Sequence, residues 1–218
     1  MKYLEPGELH MTPDAGRLHG SYAEQYDDLC ARMESHAHEV LFGMAYEYVV
    51  PGQRLLDLGI GTGLCAALFH RAGLEVYGAD FSEEMLRLCE EKKIAVELKA
   101  FDIGAGGWPY GDGQFRHVTA CGLFHFIRDP GIVFSEAWRV LSAGGTFGFT
   151  VKDPAGGGAA YVDPEYGIAV YCHDDAHVRR LAEQHGFALA KRLAYYAYTD
   201  LEKKERSLFT AYVLVKAG

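Results

Sequence analysis

Apolar side chains follow two rhythms along this chain. Near the start the spacing is helical: Tyr22, Tyr26 and Leu29 lie four and three apart, and Val40, Leu41, Met44, Ala45 and Tyr48 share one face over residues 34–49. Pro51 and Gly52 end that run. Beyond it, short apolar runs and helical patterns take turns. Strands are predicted over 53–58, 75–79, 95–100, 115–121 and 146–151, and helices over 64–72, 83–92 and 131–141. Ser82 ahead of Glu83 and Glu84 makes an N-cap with an acidic first turn. Gly73 and Gly144 stand where helix C-terminal glycines belong. Strand–helix alternation of this kind predicts an α/β fold, with a doubly wound parallel sheet covered on both faces.

After Val151 the rhythm changes. A connection rich in Gly, Pro and Tyr, including Gly156, Gly157 and Gly158, is too long for a routine link. A helix is predicted from Asp174 and Asp175 to Gly186, then strands over 187–198 and 208–215 around a charged turn at 200–206. Adjacent strands with such a link make an antiparallel hairpin, expected at the sheet edge. Residues 1–20, rich in Gly, Pro and His, read as a loose, flexible arm. The remainder, 21–218, is expected to form a single domain, since 218 residues at 49% hydrophobic content bury one substantial core.

Composition narrows the possible partners. A formal net charge of −9 without a Lys/Arg-rich block argues against nucleic acid or an anionic membrane. No run reaches the roughly 18 apolar residues of a membrane span, and the first residues lack the apolar core of a signal peptide. Cys30, Cys65, Cys89, Cys121 and Cys172 stand singly, which suits reduced thiols in a cytoplasmic protein.

The most informative stretch is Leu55-Leu56-Asp57-Leu58-Gly59-Ile60-Gly61-Thr62-Gly63. An apolar strand stops at three glycines and a helix follows at once. Such a turn lets backbone approach a ligand and points free N–H groups at it. Asp57 would repel a phosphate there. The fingerprint G-x-G-x-x-G/A is nevertheless satisfied by Gly61, Gly63 and Ala66, and Asp80 suits a ribose, so a one-domain NAD(P)-dependent oxidoreductase is an alternative. Against it, the Tyr-x-x-x-Lys spacing of Tyr212 and Lys216 falls in a predicted strand rather than a helix, and no G-x-x-x-x-G-K-[ST] loop is present.

Further segments join this stretch in order: Gly78-Ala79-Asp80-Phe81, Ala100-Phe101-Asp102-Ile103, Ala120-Cys121-Gly122 through His125, and Leu141 through Gly145. Together the chain resembles the class I S-adenosylmethionine-dependent methyltransferases. The likeness is to the single-domain, small-molecule type related to the ubiquinone/menaquinone-biosynthesis enzymes, with Ile60 where the family usually has Cys. The resemblance covers residues 21–218. It implies a Rossmann-like, doubly wound seven-stranded sheet, mostly parallel with an antiparallel C-terminal hairpin strand. It also implies a helical lid over 21–50, a substrate-side insertion over 152–173, and S-adenosylmethionine as cofactor.

Carried over residue by residue, the resemblance puts Asp57 on the cofactor's ammonium, and Gly59, Gly61 and Gly63 along its methionine and ribose parts. Asp80 falls on the ribose hydroxyls, Phe81 and Met85 about the adenine, Asp102 and Ile103 at the adenine edge, and Cys121 and Gly122 beside the methionine portion. His125 is the candidate general base, needed only if the acceptor is a hydroxyl or an acidic carbon. Tyr22 and Tyr26 belong to the lid, and Tyr161 and Tyr171 to the acceptor side, where tyrosines suit a flat small-molecule acceptor. The pairs His36/His38 and His173/His177 have no matching Cys or carboxylate spacing, so no metal site is expected. The Asn/Asp-Pro-Pro-aromatic motif of base-methylating enzymes is absent, as Ala120 through Leu123 occupies its place. A catalytically silent S-adenosylmethionine-binding protein is the second alternative.

Overall fold

The structure is a computed structural model that describes residues 22–154, 160–163, 167–200 and 205–217. The arm expected over 1–20, the glycines at 156–158 and residues 201–204 of the charged turn lie outside the described residues. After a 3-10 turn at Ala23–Gln25 come helices α1 (Tyr26–Arg32) and α2 (Ala37–Ala45). Strand β1 (Arg54–Leu58), helix α3 (Leu64–Arg71), β2 (Glu75–Asp80), α4 (Glu83–Glu91) and β3 (Glu97–Ala100) follow. Next are β4 (Phe115–Ala120), α5 (Gly131–Val140) and β5 (Leu141–Lys152). The chain ends with β6 (Ala160–Val162), β7 (Ala169–Tyr171), α6 (Asp175–Gln184), β8 (Phe187–Asp200) and β9 (Glu205–Lys216).

Seven strands make one sheet in the order β3-β2-β1-β4-β5-β9-β8. β1 pairs in parallel with both β2 and β4, so the order reverses at its carboxyl end, where open α/β sheets bind ligands. β9 runs antiparallel to both β5 and β8. The hairpin is therefore inserted second strand first: β9 is interior and β8 forms the edge. The segment expected as a substrate-side insertion over 152–173 holds a small antiparallel pair, β6 with β7.

Both faces of the sheet are buried. Leu55 and Val76 pack on one side with Leu41, Phe69 and Leu86 from α2, α3 and α4. Leu56, Leu58, Phe147 and Phe149 pack on the other with Phe134 of α5 and Val178 of α6. The ring of Phe149 stacks on Phe124 at 4.7 Å and on Tyr212 at 5.3 Å. Offset stacking of this kind adds to area burial.

The segment read as a lid over 21–50 divides in two. Glu34, at φ 50°, breaks the helical path between α1 and α2. Leu41 of α2 is fully buried, and a Cβ at Gly148 of β5 would meet its Cδ1 at 3.3 Å. α2 is thus part of the core layer, and only residues up to about His38 roof the cleft.

Candidate active site

A cavity of about 260 Å³ opens at the carboxyl end of β1, where the strand order reverses. Its walls come from the glycine turn, the ends of β4, β8 and β9, and the α1 segment. Asp57, Gly59, Gly61, Cys121, Gly122, His125, Tyr22 and Tyr26 all line it, far apart in sequence though they are.

Gly61 and Gly63 have different jobs. Gly61 (φ 54°) has nothing within 4 Å of where a Cβ would stand, so its bare backbone faces open space in the cleft. Gly63 (φ 91°) is the N-cap of α3, and a Cβ there would lie 2.5 Å from Ile94 Cδ1. It serves close packing of the helix start and does not line the cavity.

Asp57 is 1% exposed. Its Oδ1 accepts from Thr119 Oγ1 at 2.7 Å, while Oδ2 is buried and accepts no hydrogen bond. Burial pushes its carboxyl up to about 7 against the pull of Thr119, and the charge of Asp80 adds to the rise. A buried carboxyl with one oxygen unmet suits a cationic ligand group.

Asp80, ending β2, holds the turn: Oδ2 accepts from Gly61 N at 2.8 Å and Oδ1 from Ser82 N at 2.9 Å. Asp102 caps a 3-10 turn at Ile103–Ala105, accepting from Gly104 N at 2.9 Å. Asp80, Phe81, Met85, Asp102 and Ile103 do not line the cavity itself; they stand along the ends of β2 and β3. Phe81 is 43% exposed there, whereas Met85 and Ile103 are buried.

His125 sits in a 3-10 turn, Phe124–Phe126, with its ring edge-on to Phe209 at 5.7 Å. That turn is pinned by His173, whose Nε2 donates to Phe124 O at 3.2 Å and to Ile127 O at 2.9 Å. Burial lowers the His173 imidazole, which keeps it neutral in this structural role. Gly122 N donates to Thr150 Oγ1 at 2.9 Å and fixes the exit from β4.

Residues 56–149 match a family model described as a methyltransferase domain. The demethylmenaquinone methyltransferase of Thermobifida fusca is 32% identical over 145 residues, 63% of this chain and 61% of that protein. That of Renibacterium salmoninarum is 34% identical over 96 residues, 44% of this chain and 40% of the relative. The chain spans less than two thirds of the length of these curated relatives. The solved structure of 1,6-didemethyltoxoflavin-N1-methyltransferase from Burkholderia thailandensis, with 1,6-didemethyltoxoflavin and S-adenosylhomocysteine bound, superposes with a TM-score of 0.74. It is 15% identical, and the match covers 99% of this chain and 94% of that one. The fold is that of this solved methyltransferase, and residues 56–149 carry the likeness to a methyltransferase domain.

The cavity is completed by residues that the sequence reading did not single out. Asp27 of α1 accepts from Thr62 Oγ1 of the glycine turn at 2.5 Å and pairs with Lys92 Nζ at 2.5 Å, tying roof to floor. Cys30, Cys65, Tyr198 and Phe209 also line the cavity. Contact with the Cys121 thiol, together with burial, holds Cys65 well above the usual thiol range, and burial pushes Cys30 up to about 11. Protonated thiols are poor nucleophiles. Burial and the Cys30 thiol raise the phenol of Tyr26, which stays a neutral hydroxyl. Tyr161 and Tyr171 do not line the cavity; Tyr161 reaches toward it through Lys152, and Tyr171 is buried on β7. Nothing in the local sequence marks Tyr198. A register shift between Tyr196 and Tyr198 places Ala197 in a bulge, so Tyr198 joins Tyr195 on the inner face while Tyr196 points out.

Proposed function

We propose that this chain transfers a methyl group from S-adenosylmethionine to a small-molecule acceptor by in-line displacement. The buried, half-satisfied carboxylate of Asp57 at the strand-order reversal carries this reading, because a sulfonium amino acid brings the ammonium it lacks. When bound, the cofactor supplies the electrophilic methyl group. The residues around it bind, orient and keep out water.

Asp57 would hold the ammonium, with the backbone of Gly59 and Gly61 along the methionine and ribose and Cys121 and Gly122 across from them. Asp80 would take the ribose hydroxyls on the lone pairs left over from Gly61 and Ser82. Phe81 offers an exposed face to the adenine, Met85 at most the floor of that slot, and Asp102 and Ile103 its edge. The α1 segment, with Tyr22 and Tyr26, would close the cleft, which favours displacement by excluding water and aligning the partners. Where the acceptor is a hydroxyl or acidic carbon, His125 would take its proton. The acceptor side is drawn from the ends of β8 and β9, with Tyr161 and Tyr171 standing back from the cavity. A cytoplasmic setting goes with this reading, as the five cysteines are free and no helix among the described residues is long and apolar enough to cross a membrane.

Thermal-shift measurements with S-adenosylmethionine, S-adenosylhomocysteine and NAD test the cofactor. Stabilisation by the first two alone is expected, and stabilisation by NAD alone would overturn the reading. Mass spectrometry of an acceptor panel of phenols, amines, thiols and carboxylic acids then tests transfer. Formation of S-adenosylhomocysteine with a methylated product is expected. Binding without transfer across the panel would identify a silent cofactor-binding protein.

A further inference from the structure

Asp57 gives one part of the cavity a negative group, and a cation stands behind another. Phe209, on β9, lies three strand positions from β1 in the sheet, about 14 Å away at ordinary strand spacing. Beside it is Lys152, the last residue of β5 and half-buried. Its Nζ lies 5.7 Å from the ring of Tyr161, 5.7 Å from that of Tyr198 and 5.6 Å from that of Phe209. It donates to Tyr198 Oη at 3.2 Å.

Among the described residues nothing neutralises this charge. Lys92, Lys99 and Lys191 each hold a carboxylate oxygen within 3.0 Å, but among the described residues Lys152 holds none. The neighbouring Asp153 instead accepts from Thr210 Oγ1 at 2.9 Å. Burial by itself would lower the Lys152 ammonium, yet its contacts with Tyr198 and Tyr161 outweigh that and raise it. It is therefore charged at neutral pH. Aromatic faces recover part of the cost of desolvating it, and an anion would recover more.

Tyr198 connects this charge to the cavity. Its oxygen accepts from Lys152, which leaves its own O–H to donate, and it lines the cavity together with Phe209 and His125. A hydroxyl that accepts from a cation is a stronger donor in turn. We propose that Tyr198, polarised by Lys152, seats an anionic oxygen of the methyl acceptor, so that the acceptor is a carboxylate or an ionised phenol or enol. Lys152 is then a positioning residue and Tyr198 makes the contact. The inference rests on the methyl-transfer reading of this cavity.

The probe is 4-nitrophenol, whose ionised form absorbs differently from the neutral one, with nitrobenzene as the uncharged control and benzoate as a carboxylate competitor. Wild-type protein, with and without S-adenosylhomocysteine, is compared with Lys152→Met and with Tyr198→Phe, which removes a single hydroxyl. Wild type is expected to bind the phenolate and lower its apparent pKa by about one unit. Lys152→Met should abolish that shift and weaken binding at least about tenfold, and Tyr198→Phe should weaken it roughly three- to tenfold. Nitrobenzene binding and S-adenosylhomocysteine affinity should not change. Displacement by benzoate makes the site a general oxyanion seat, and its failure restricts the acceptor to phenols and enols. An unshifted phenol in wild type, or equal losses for nitrobenzene and nitrophenolate in the variants, would overturn the proposal. A protein that shifts the phenol but binds no S-adenosylhomocysteine would keep the anion seat and overturn the methyl-transfer reading.

Discussion

Asp57 is costly to the empty fold. Thr119 satisfies one oxygen, the other accepts nothing, and the carboxyl is pushed up to about 7. Asp57→Asn keeps the shape and removes the charge. It should raise the melting temperature of the ligand-free protein at pH 8 while weakening S-adenosylmethionine binding at least about tenfold, read by calorimetry. The same group predicts linked protons. Cofactor affinity should rise as pH increases through about 7, with proton release on binding near that pH, seen as a dependence of the calorimetric heat on the buffer. Asp80 is a different case, because its two oxygens already hold Gly61 and Ser82. Asp80→Ala should therefore release the glycine turn as well as the ribose contact, and cost at least about tenfold in cofactor affinity. Affinity equal to wild type would remove Asp80 from the site.

Among the elements, α1 is attached unequally at its two ends. On the side after the helix, backbone bonds tie it to the edge strand: His36 N donates to Ala197 O and Thr199 N to Met33 O, both at 2.9 Å. On the other side it is held by side chains, through Asp27 to Thr62 and Lys92 and through Glu24 to Arg87. Half-exposed ion pairs are each worth about 0–1 kcal/mol, so that side is the one to open. Asp27→Ala should speed cofactor dissociation roughly three- to tenfold in stopped-flow measurements, and the salt dependence of the wild-type rate should shrink with it. An unchanged rate would mean that the roof does not gate the cleft. Gly63 tests the packing beneath the glycine turn. Gly63→Ala has to accommodate φ 91° and a Cβ at 2.5 Å from Ile94, which should cost roughly 2–4 kcal/mol in urea unfolding.

For the molecule as a whole, His117 and Asp57 are buried groups through which pH acts with opposite sign. His117 joins neighbouring strands, with Nδ1 2.8 Å from Thr146 Oγ1 and Nε2 2.7 Å from Gln53 Oε1; burial drops it to about 4. A histidine lowered on folding favours the fold above its ordinary value of 6.5, and that advantage is lost as pH falls toward 4. Asp57, raised from 3.8 to about 7, favours the fold at low pH and loses that advantage as pH rises through about 7. Each effect is on the order of 3 kcal/mol, so they largely cancel between the two ranges. Asp57→Asn should accordingly steepen the loss of stability from pH 6.5 to 4 in urea titrations, and His117→Gln should flatten it. Parallel curves would show that neither group titrates as its surroundings imply. The sequence by itself determined the α/β layering and the glycine turn, because both are written in neighbouring residues: strand and helix periods from Leu55 to Val151, and a strand that stops at Gly59. It also placed Asp57 and Asp80 at strand ends, since chain order fixes those positions. Tertiary structure alone decided that β9 enters the sheet ahead of β8, that α2 belongs to the core while α1 roofs the cleft, and that Gly63 packs rather than binds. It alone brought Lys152, Tyr198 and Phe209 beside His125. Those outcomes depend on which strand takes which partner and on one bulged residue at 197, and pairing between distant segments leaves no local period to read.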